Sequence, residues 1–307
     1  MGCSRDARGQ EKDRQYEDGM RQLNYDLKQL CHRNRDGSYG TQADRLRILQ
    51  LLADQLHEAG FKDLRATGLK PKHVQAMTQR WLAESLNAGT IKNRMAQLRW
   101  WAEKIGKRNV VARDNADYGI ANRQLVSTVS KARELTAAEL ARVDDPYTRL
   151  SLQLQAAFGL RRAESIKIQP AWADRGNELV LRASWCKGGR ERAVPIRTEA
   201  QRHLLEESKS LAGRGSLIPA GARYVDQLRR FEAQCDKAGI HKVHGHRHAY
   251  AQGRYRDITG WDAPAAGGPS SRSLTPEQRA IDRAARLQIS QELGHEREQV
   301  TAIYLSR

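Results

Sequence analysis

The sequence predicts a mainly α-helical protein with one small antiparallel β-sheet. It predicts a helical N-terminal domain followed by a mixed α/β domain. Three observations predict this. Apolar residues recur at three- and four-residue steps through most of the chain, which is a helical period. A strand pattern occurs in one place, on either side of the turn Lys187-Gly188-Gly189-Arg190. And 307 residues exceed one average domain of ~100–200 residues.

The elements follow in order. Residues 1–15 are charged and lack an apolar period, so they read as a basic flexible arm. From about Gln15 to His32, the residues Tyr16, Met20, Leu23, Leu27 and Leu30 form a helical stripe. Arg33 to Gly40 is a loop by its turn residues. A second helix opens at Thr41, carries Leu46, Leu49, Ala53 and Leu56, and stops at Gly60. A third runs from about Lys72 to Leu86. A fourth begins at Thr90, carries Met95, Leu98, Trp101 and Ile105, and stops at Gly106. These four make a helical domain over 16–108. Residues 109–134 are polar without a period and read as an inter-domain linker.

The second domain is expected over 135–307. Thr136-x-x-Glu139 is a capping box that starts a helix through Val143. Further helices are expected over Pro146–Phe158 and Arg161–Ile168. Glu178–Trp185 reads as a strand and Glu191–Ile196 as its return. Helices resume at Thr198-x-x-Gln201, over Arg223–Ala238 and over Thr275–Leu293. Gly260, Pro264, Gly267, Gly268 and Pro269 mark an inserted loop at about 256–274.

Lys and Arg number 53 against 36 Asp and Glu, a net charge of +17. That balance favours a polyanionic partner, nucleic acid before others, over a small-molecule enzyme with an acidic pocket. Mean hydropathy is −0.75, and no run approaches the ~18–20 apolar residues of a membrane helix, so no membrane association is expected. Met1 to Gln10 lacks the apolar region of a secretory signal. Cys3, Cys31, Cys186 and Cys235 are scattered without a CxxC pair. They read as reduced thiols in a cytoplasm. On the fourth helix, Lys92, Arg94, Arg99, Lys107 and Arg108 surround the apolar stripe; they are a solvated face or a set of phosphate contacts.

The sequence has no GxxxxGK[ST] phosphate loop and no two-metal carboxylate cluster. What it has is Arg, Lys, His and Tyr in a particular order. Gly159-Leu160-Arg161-Arg162-Ala163-Glu164 comes first, and Lys187 follows on the hairpin turn before Val194-Pro195-Ile196. His244-Gly245-His246-Arg247-His248 comes next. Leu293-Gly294-His295 is last, with Tyr304 nine residues beyond His295. Taken singly, each is an ordinary surface or core residue. The histidines 241, 244, 246 and 248 suggest a metal site, but no Cys or carboxylate partner is placed beside them. Tyr250 and Tyr255 are rival nucleophiles and read as packing residues.

Taken together, the motifs resemble those of the tyrosine site-specific recombinases, the phage integrase family. Residues 159–164 match its Gly-Leu-Arg-x-x-Glu, residues 244–248 its His-x-x-Arg-His, and residues 293–304 its Leu-Gly-His followed by the nucleophilic Tyr. The resemblance covers 135–307 strongly and makes 16–108 the family's helical core-binding, DNA-clamping domain. It implies site-specific integration or excision of a mobile element through a 3′-phosphotyrosine intermediate. Double-stranded DNA is the implied partner, bound by a homotetramer that is a monomer or weak dimer when free. No metal or other cofactor is implied.

The implied roles are chemically coherent. Arg161 and Arg247 clamp the non-bridging phosphate oxygens. Tyr304 attacks phosphorus. Lys187 protonates the leaving 5′-oxygen. His244 and His295 position the phosphate and handle the tyrosine proton, and Glu164 buttresses the arginines. Two competing readings use the same fold: a non-catalytic DNA-binding regulator and a type IB-like topoisomerase. His246 stands where the family usually has an apolar residue, the Arg247–Leu293 gap is long, and three residues follow Tyr304. The long loop and short tail resemble integrase-domain proteins of bacterial integrating conjugative elements, which implies a cytoplasmic, nucleoid-associated protein.

Overall fold

The computed structural model describes residues 21–123, 126, 129–295 and 298–307. The expected arm at 1–15 and the first turn of the first predicted helix lie outside the described residues. The chain divides into two compact units, Met1–Arg123 and Gln124–Arg307.

Among the described residues the first unit holds four helices: α1 (Gln22–Arg33), α2 (Tyr39–Glu58), α3 (Pro71–Ala83) and α4 (Ala88–Lys104). Their starts are written locally. Ser38 Oγ accepts from the Thr41 amide at the head of α2. Pro71 opens α3, where its missing N–H costs nothing. Asn87 Oδ1 accepts from the Gly89 amide at the head of α4. The apolar stripes meet in one core of Leu27, Leu49, Leu52, Leu56, Met77, Trp81, Met95, Leu98 and Trp101. Both buried indoles are satisfied: Trp81 Nε1 donates to Gln55 Oε1 and Trp101 Nε1 to the Ala66 carbonyl, each at 2.9 Å.

The expected linker at 109–134 is corrected. Two short 3-10 turns occupy Arg108–Val110 and Ala116–Tyr118, and Val111 and Ile120 are buried in the first core. Arg99 straps the segment down by donating to the Ala112 carbonyl and Asn115 Oδ1. Two isolated apolar anchors carry no period, which is why the segment reads as polar coil. Further on, the Arg133 amide donates to the Gly245 carbonyl, its guanidinium bonds Glu139, and Ser130 Oγ donates to Gln252. Those residues belong to the second unit.

The second unit runs through α5 (Ala137–Ala141), α6 (Pro146–Phe158), α7 (Arg162–Lys167) and α8 (Pro170–Ala173) to β1 (Glu178–Leu181) and β2 (Arg192–Pro195). It continues through α9 (Glu199–Ala212), α10 (Tyr224–Ala238), α11 (Gly245–Thr259), α12 (Pro276–Glu292) and α13 (Glu298–Leu305). The strands pair antiparallel, Leu179 opposite Val194 and Leu181 opposite Arg192. The first strand stops at Leu181 rather than Trp185; residues Ala183–Trp185 form a 3-10 turn that buries the Trp185 ring. The main core joins α6, both strands, α11, α12 and α13 through Phe158, Leu179, Val194, Tyr255, Ile289 and Leu305.

Helix α11 has no sequence-level signature. Its buried residues include Gly245, His246, Arg247, His248, Tyr250, Gln252 and Thr259, so polar groups face inward nearly all round. No apolar stripe exists for a periodicity reading to find. The inserted loop is also corrected: α11 extends to Thr259, so the loop spans 260–275. It is packed, with Ala263, Ala265 and Leu274 buried. Among the described residues no helix is long and apolar enough to cross a membrane.

Ile120→Ala should lower the stability of the first unit by about 2–5 kcal/mol, the cost of emptying a buried aliphatic site. Urea unfolding measures it. A loss below ~0.5 kcal/mol, that of an ordinary surface position, would return residues 109–123 to a linker.

Candidate active site

The site is built where three chain reversals meet. Gly159 ends α6 in the left-handed region at φ 61°. A Cβ at this position would stand 2.5 Å from Cδ1 of Tyr250, so the ring of α11 can approach only because the residue is glycine. Arg161 then caps α7. Its amide donates to Glu164 Oε2 and its Nη1 to Glu164 Oε1, both at 2.7 Å. From β2, Arg192 grips the same carboxylate with two bonds of 2.9 and 2.8 Å. Glu164 is fully buried. Burial opposes its ionisation, but Arg192 and then Arg161 outweigh it and hold the carboxyl at about 2.

The first turn of α11 presents His244, Arg247 and His248 at positions i, i+3 and i+4, hence on one face. Arg247 is 1% exposed. Its two terminal nitrogens donate to the carbonyls of Gly159 and Leu293, which end α6 and follow α12. Burial, then Arg192 and Arg161, push its pKa down to about 10, so it stays charged at neutral pH. Its Nε donates to the Tyr304 hydroxyl at 3.3 Å. That hydroxyl is 3.2 Å from His244 Nε2. The oxygen accepts from Arg247, so its own proton points at His244, whose Nε2 accepts.

His295 closes the group. Its Nε2 lies 3.4 Å from Arg247 Nη2 and its Nδ1 3.0 Å from Thr301 Oγ1. Arginine only donates, so Nε2 accepts and the ring proton sits on Nδ1. The Tyr304 ring stacks on His295 with centroids 5.3 Å apart and lies 4.5 Å from the His248 ring. All three histidines are kept neutral. Burial and then Arg247 lower His244 and take His295 down to about 3, while burial and then His244 take His248 down to about 4.

The structure thus brings together Arg161, Glu164, His244, Arg247, His295 and Tyr304. Lys187 stands apart, exposed on the turn after β1. Arg192, outside every motif, and His248, a motif residue given no role in the sequence, join the group. Arg192 left a signal: it shares the inward face of β2 with Val194, and an inward charge demands a buried partner. The rival tyrosines are engaged elsewhere. Tyr250 donates to Glu292 and Tyr255 to Asp282, each at 2.6 Å. Burial and then Asp282 push Tyr255 up to about 12. His246 is enclosed, with Nδ1 2.9 Å from the Arg133 carbonyl. Among the described residues no three His, Cys, Asp or Glu side chains group as metal ligands.

The expected cations of the fourth helix have local tasks, and two of them, Lys107 and Arg108, lie beyond the end of α4 at the 3-10 turn Arg108–Val110. Arg94 is half-buried beside the Trp81 ring. Arg99 straps 112–115, and Lys107 donates to the Thr67 carbonyl at 2.7 Å. Lys92 reaches Asn122, and Arg108 stands exposed beside Glu103. Lys92 and Arg108 therefore remain the most available of the five for an external anion.

Residues 20–111 match the family model described as phage integrase, N-terminal, and residues 121–253 the one described as integrase. No curated protein sequence matches the chain. Solved structures share the fold. A lambda integrase dimer bound to a COC′ core site aligns at TM-score 0.59 and 16% identity, over 91% of this chain and 77% of that one. The XerH site-specific recombinase bound to a palindromic difH substrate gives 0.59 and 16%, over 92% and 81%. The Tn1549 transposon integrase in complex with circular intermediate DNA gives 0.53 and 14%, over 94% and 96%.

The neutral histidines make stability pH-dependent. In the unfolded chain these rings protonate near 6.5; folded, His248 holds out to about 4 and His295 to about 3. Their contribution is present above pH 6.5 and is lost as pH falls from 6.5 toward those values, by up to ~1.4 kcal/mol per pH unit for each ring. His248→Gln should flatten that slope in pH-dependent unfolding. Identical slopes in both proteins would mean His248 protonates freely in the fold.

Proposed function

The chain belongs to the phage integrase family of tyrosine site-specific recombinases, and from that premise we propose that it breaks and rejoins DNA at the ends of a mobile element. Tyr304 attacks a backbone phosphorus. Its oxygen forms the new P–O bond, the 5′-oxygen leaves, and the protein is held as a 3′-phosphotyrosine. His244 takes the proton of the tyrosine hydroxyl, and Lys187, swung in on its turn, supplies one to the departing 5′-oxygen. Arg161 and Arg247 balance the charge that builds on the non-bridging oxygens. The phosphodiester energy is kept in the covalent link, so a second 5′-hydroxyl restores the bond by reversal. Lys92 and Arg108 of the first unit add phosphate contacts. The active species is a homotetramer on double-stranded DNA, monomeric or weakly dimeric when free, in a bacterial cytoplasm.

One observation carries this reading. The Tyr304 hydroxyl is held between Arg247 Nε and His244 Nε2, from residues 57 and 60 positions away in sequence. A tyrosine placed between a charged donor and a neutral acceptor is set to lose its proton as it attacks. Tyr250 and Tyr255 also have a donor and an acceptor each, Arg197 with Glu292 and Trp261 with Asp282, but their acceptors are carboxylates, whose negative charge disfavours a phenolate, whereas the acceptor at Tyr304 is a neutral imidazole.

Tyr304→Phe should abolish covalent capture of a nicked suicide substrate on a denaturing gel while leaving DNA affinity nearly unchanged. A full-strength covalent band from the Phe variant would reject the assignment. Fast relaxation of a supercoiled plasmid without element ends would favour topoisomerase action instead.

Lys92→Glu with Arg108→Glu should flatten the dependence of log affinity on log salt by about 0.9 for each phosphate no longer neutralised. Affinity measured across salt concentrations tests it. An unchanged slope would leave the first unit without backbone contacts at these positions.

A further inference from the structure

Arg192 has no part in the bond-making just described, yet it stands where three motifs meet. It opens β2, the return strand of the hairpin that carries Lys187. Its two bonds to Glu164 reach the turn that carries Arg161. Its stem lies along Gly294, where an added Cβ would come 2.7 Å from Arg192 Cδ. Gly294 is in the left-handed region at φ 64° and directly precedes His295.

We propose that Arg192 is a positioning residue for DNA cleavage: through Glu164 it aims the Arg161 guanidinium at the reacting phosphate, and by packing on Gly294 it sets His295. The inference rests on the phosphotyrosine reading above.

The three side chains differ in their access to DNA. The Arg192 side chain is 5% exposed and Glu164 1%, so neither is a surface group that meets DNA; the Arg161 side chain is 22% exposed and is the outward member. A planar guanidinium on a carboxylate fixes direction as well as charge, because two parallel bonds leave no rotation. With Glu164 locked from one side by Arg192, its remaining lone pairs face Arg161 alone. The β1–β2 ladder holds the other end, since Arg192 pairs with Leu181 in register. A lysine here would keep the charge but not the fork.

Glu164 faces a defined set of groups. Arg161 lies on its own turn, Arg192 on β2, Cys186 on the hairpin, His244 and Arg247 on α11, and His295 after α12. The thiol and both imidazoles are uncharged near neutrality, so three guanidiniums face one carboxylate. In the native protein that carboxylate stays ionised down to about 2. Without Arg192 its largest charge partner is gone, burial regains its weight, and the carboxyl takes a proton at a higher pH. Protonated, it releases Arg161.

The test is single-turnover covalent capture on nicked DNA between about pH 5.5 and 8.5, with DNA affinity measured beside it. The proteins are wild type, Arg192→Gln, Arg192→Lys and Glu164→Gln. Arg192→Gln should capture ~10–100-fold more slowly at neutral pH with little change in affinity, as expected for a displaced reacting group. Its rate should also fall further toward acid. That limb should be missing from wild type and from Glu164→Gln, and Arg192→Lys should recover part of the rate. A second measurement needs no catalysis: the stability difference between wild type and Arg192→Gln should be widest near neutral pH. It should narrow as pH falls through the ordinary carboxyl value of 4.5, because a protonated Glu164 no longer misses its partner. Wild-type rate and pH profile in Arg192→Gln would overturn the proposal, and so would a stability gap independent of pH. A wild type that captures no DNA would instead overturn the phosphotyrosine reading, and the stability gap would still judge the Arg192–Glu164 tie.

Discussion

The second unit is organised around one costly arrangement: Arg161, Arg192 and Arg247 brought together with a single carboxylate, Glu164, among them. Like charges that close repel strongly in a low-dielectric interior. The fold offsets this in two ways. Glu164 is shared by two of the arginines, and the third is wrapped by the carbonyls of Gly159 and Leu293. Both carbonyls follow helix ends, where unpaired acceptors are available and the helix dipole is negative. What remains uncompensated is positive charge with an opening at Arg161. Under the proposed function an incoming phosphodiester relieves it, and relief grows as charge builds on the phosphate.

The histidines follow from that field. Placed beside cations and out of water, His244, His248 and His295 stay neutral, and a neutral imidazole accepts a proton where an imidazolium cannot. Tyr304 therefore meets a charged donor on one side and an empty acceptor on the other. The rival tyrosines differ in the sign of their surroundings. Tyr250 and Tyr255 donate to the carboxylates of Glu292 and Asp282, which hold the phenol proton in place. Electrostatic environment, rather than burial, separates the three rings.

The first unit shows the opposite use of charge. Arg99 and Lys107 secure backbone carbonyls of neighbouring segments, and Arg94 lies half-buried against the Trp81 ring. A cation-rich helix reads as an anion-binding face in sequence. In the fold, part of that charge is used to hold the domain together, which leaves Lys92 and Arg108 more available.

Much of this molecule is legible before any coordinates. Capping residues such as Thr136 and Thr198, the stripes of α1 to α4, and the glycine-marked hairpin are local signals, and local backbone chemistry obeys them. The order Arg161, Lys187, His244, Arg247, His295, Tyr304 is likewise a property of the chain alone. Tertiary packing decided the rest. It made a helix of 245–259, whose buried polar face has no period to read, and it pulled Val111 and Ile120 into a core from a segment that looks like coil. It also joined Arg192 to Glu164, 28 residues apart in sequence, in a bond that exists only because β2 lies beside α7. The physical reason is range. Caps, turns and amphipathic stripes are settled within one or two helical turns, whereas a buried charge finds its partner only when the whole core has closed around it.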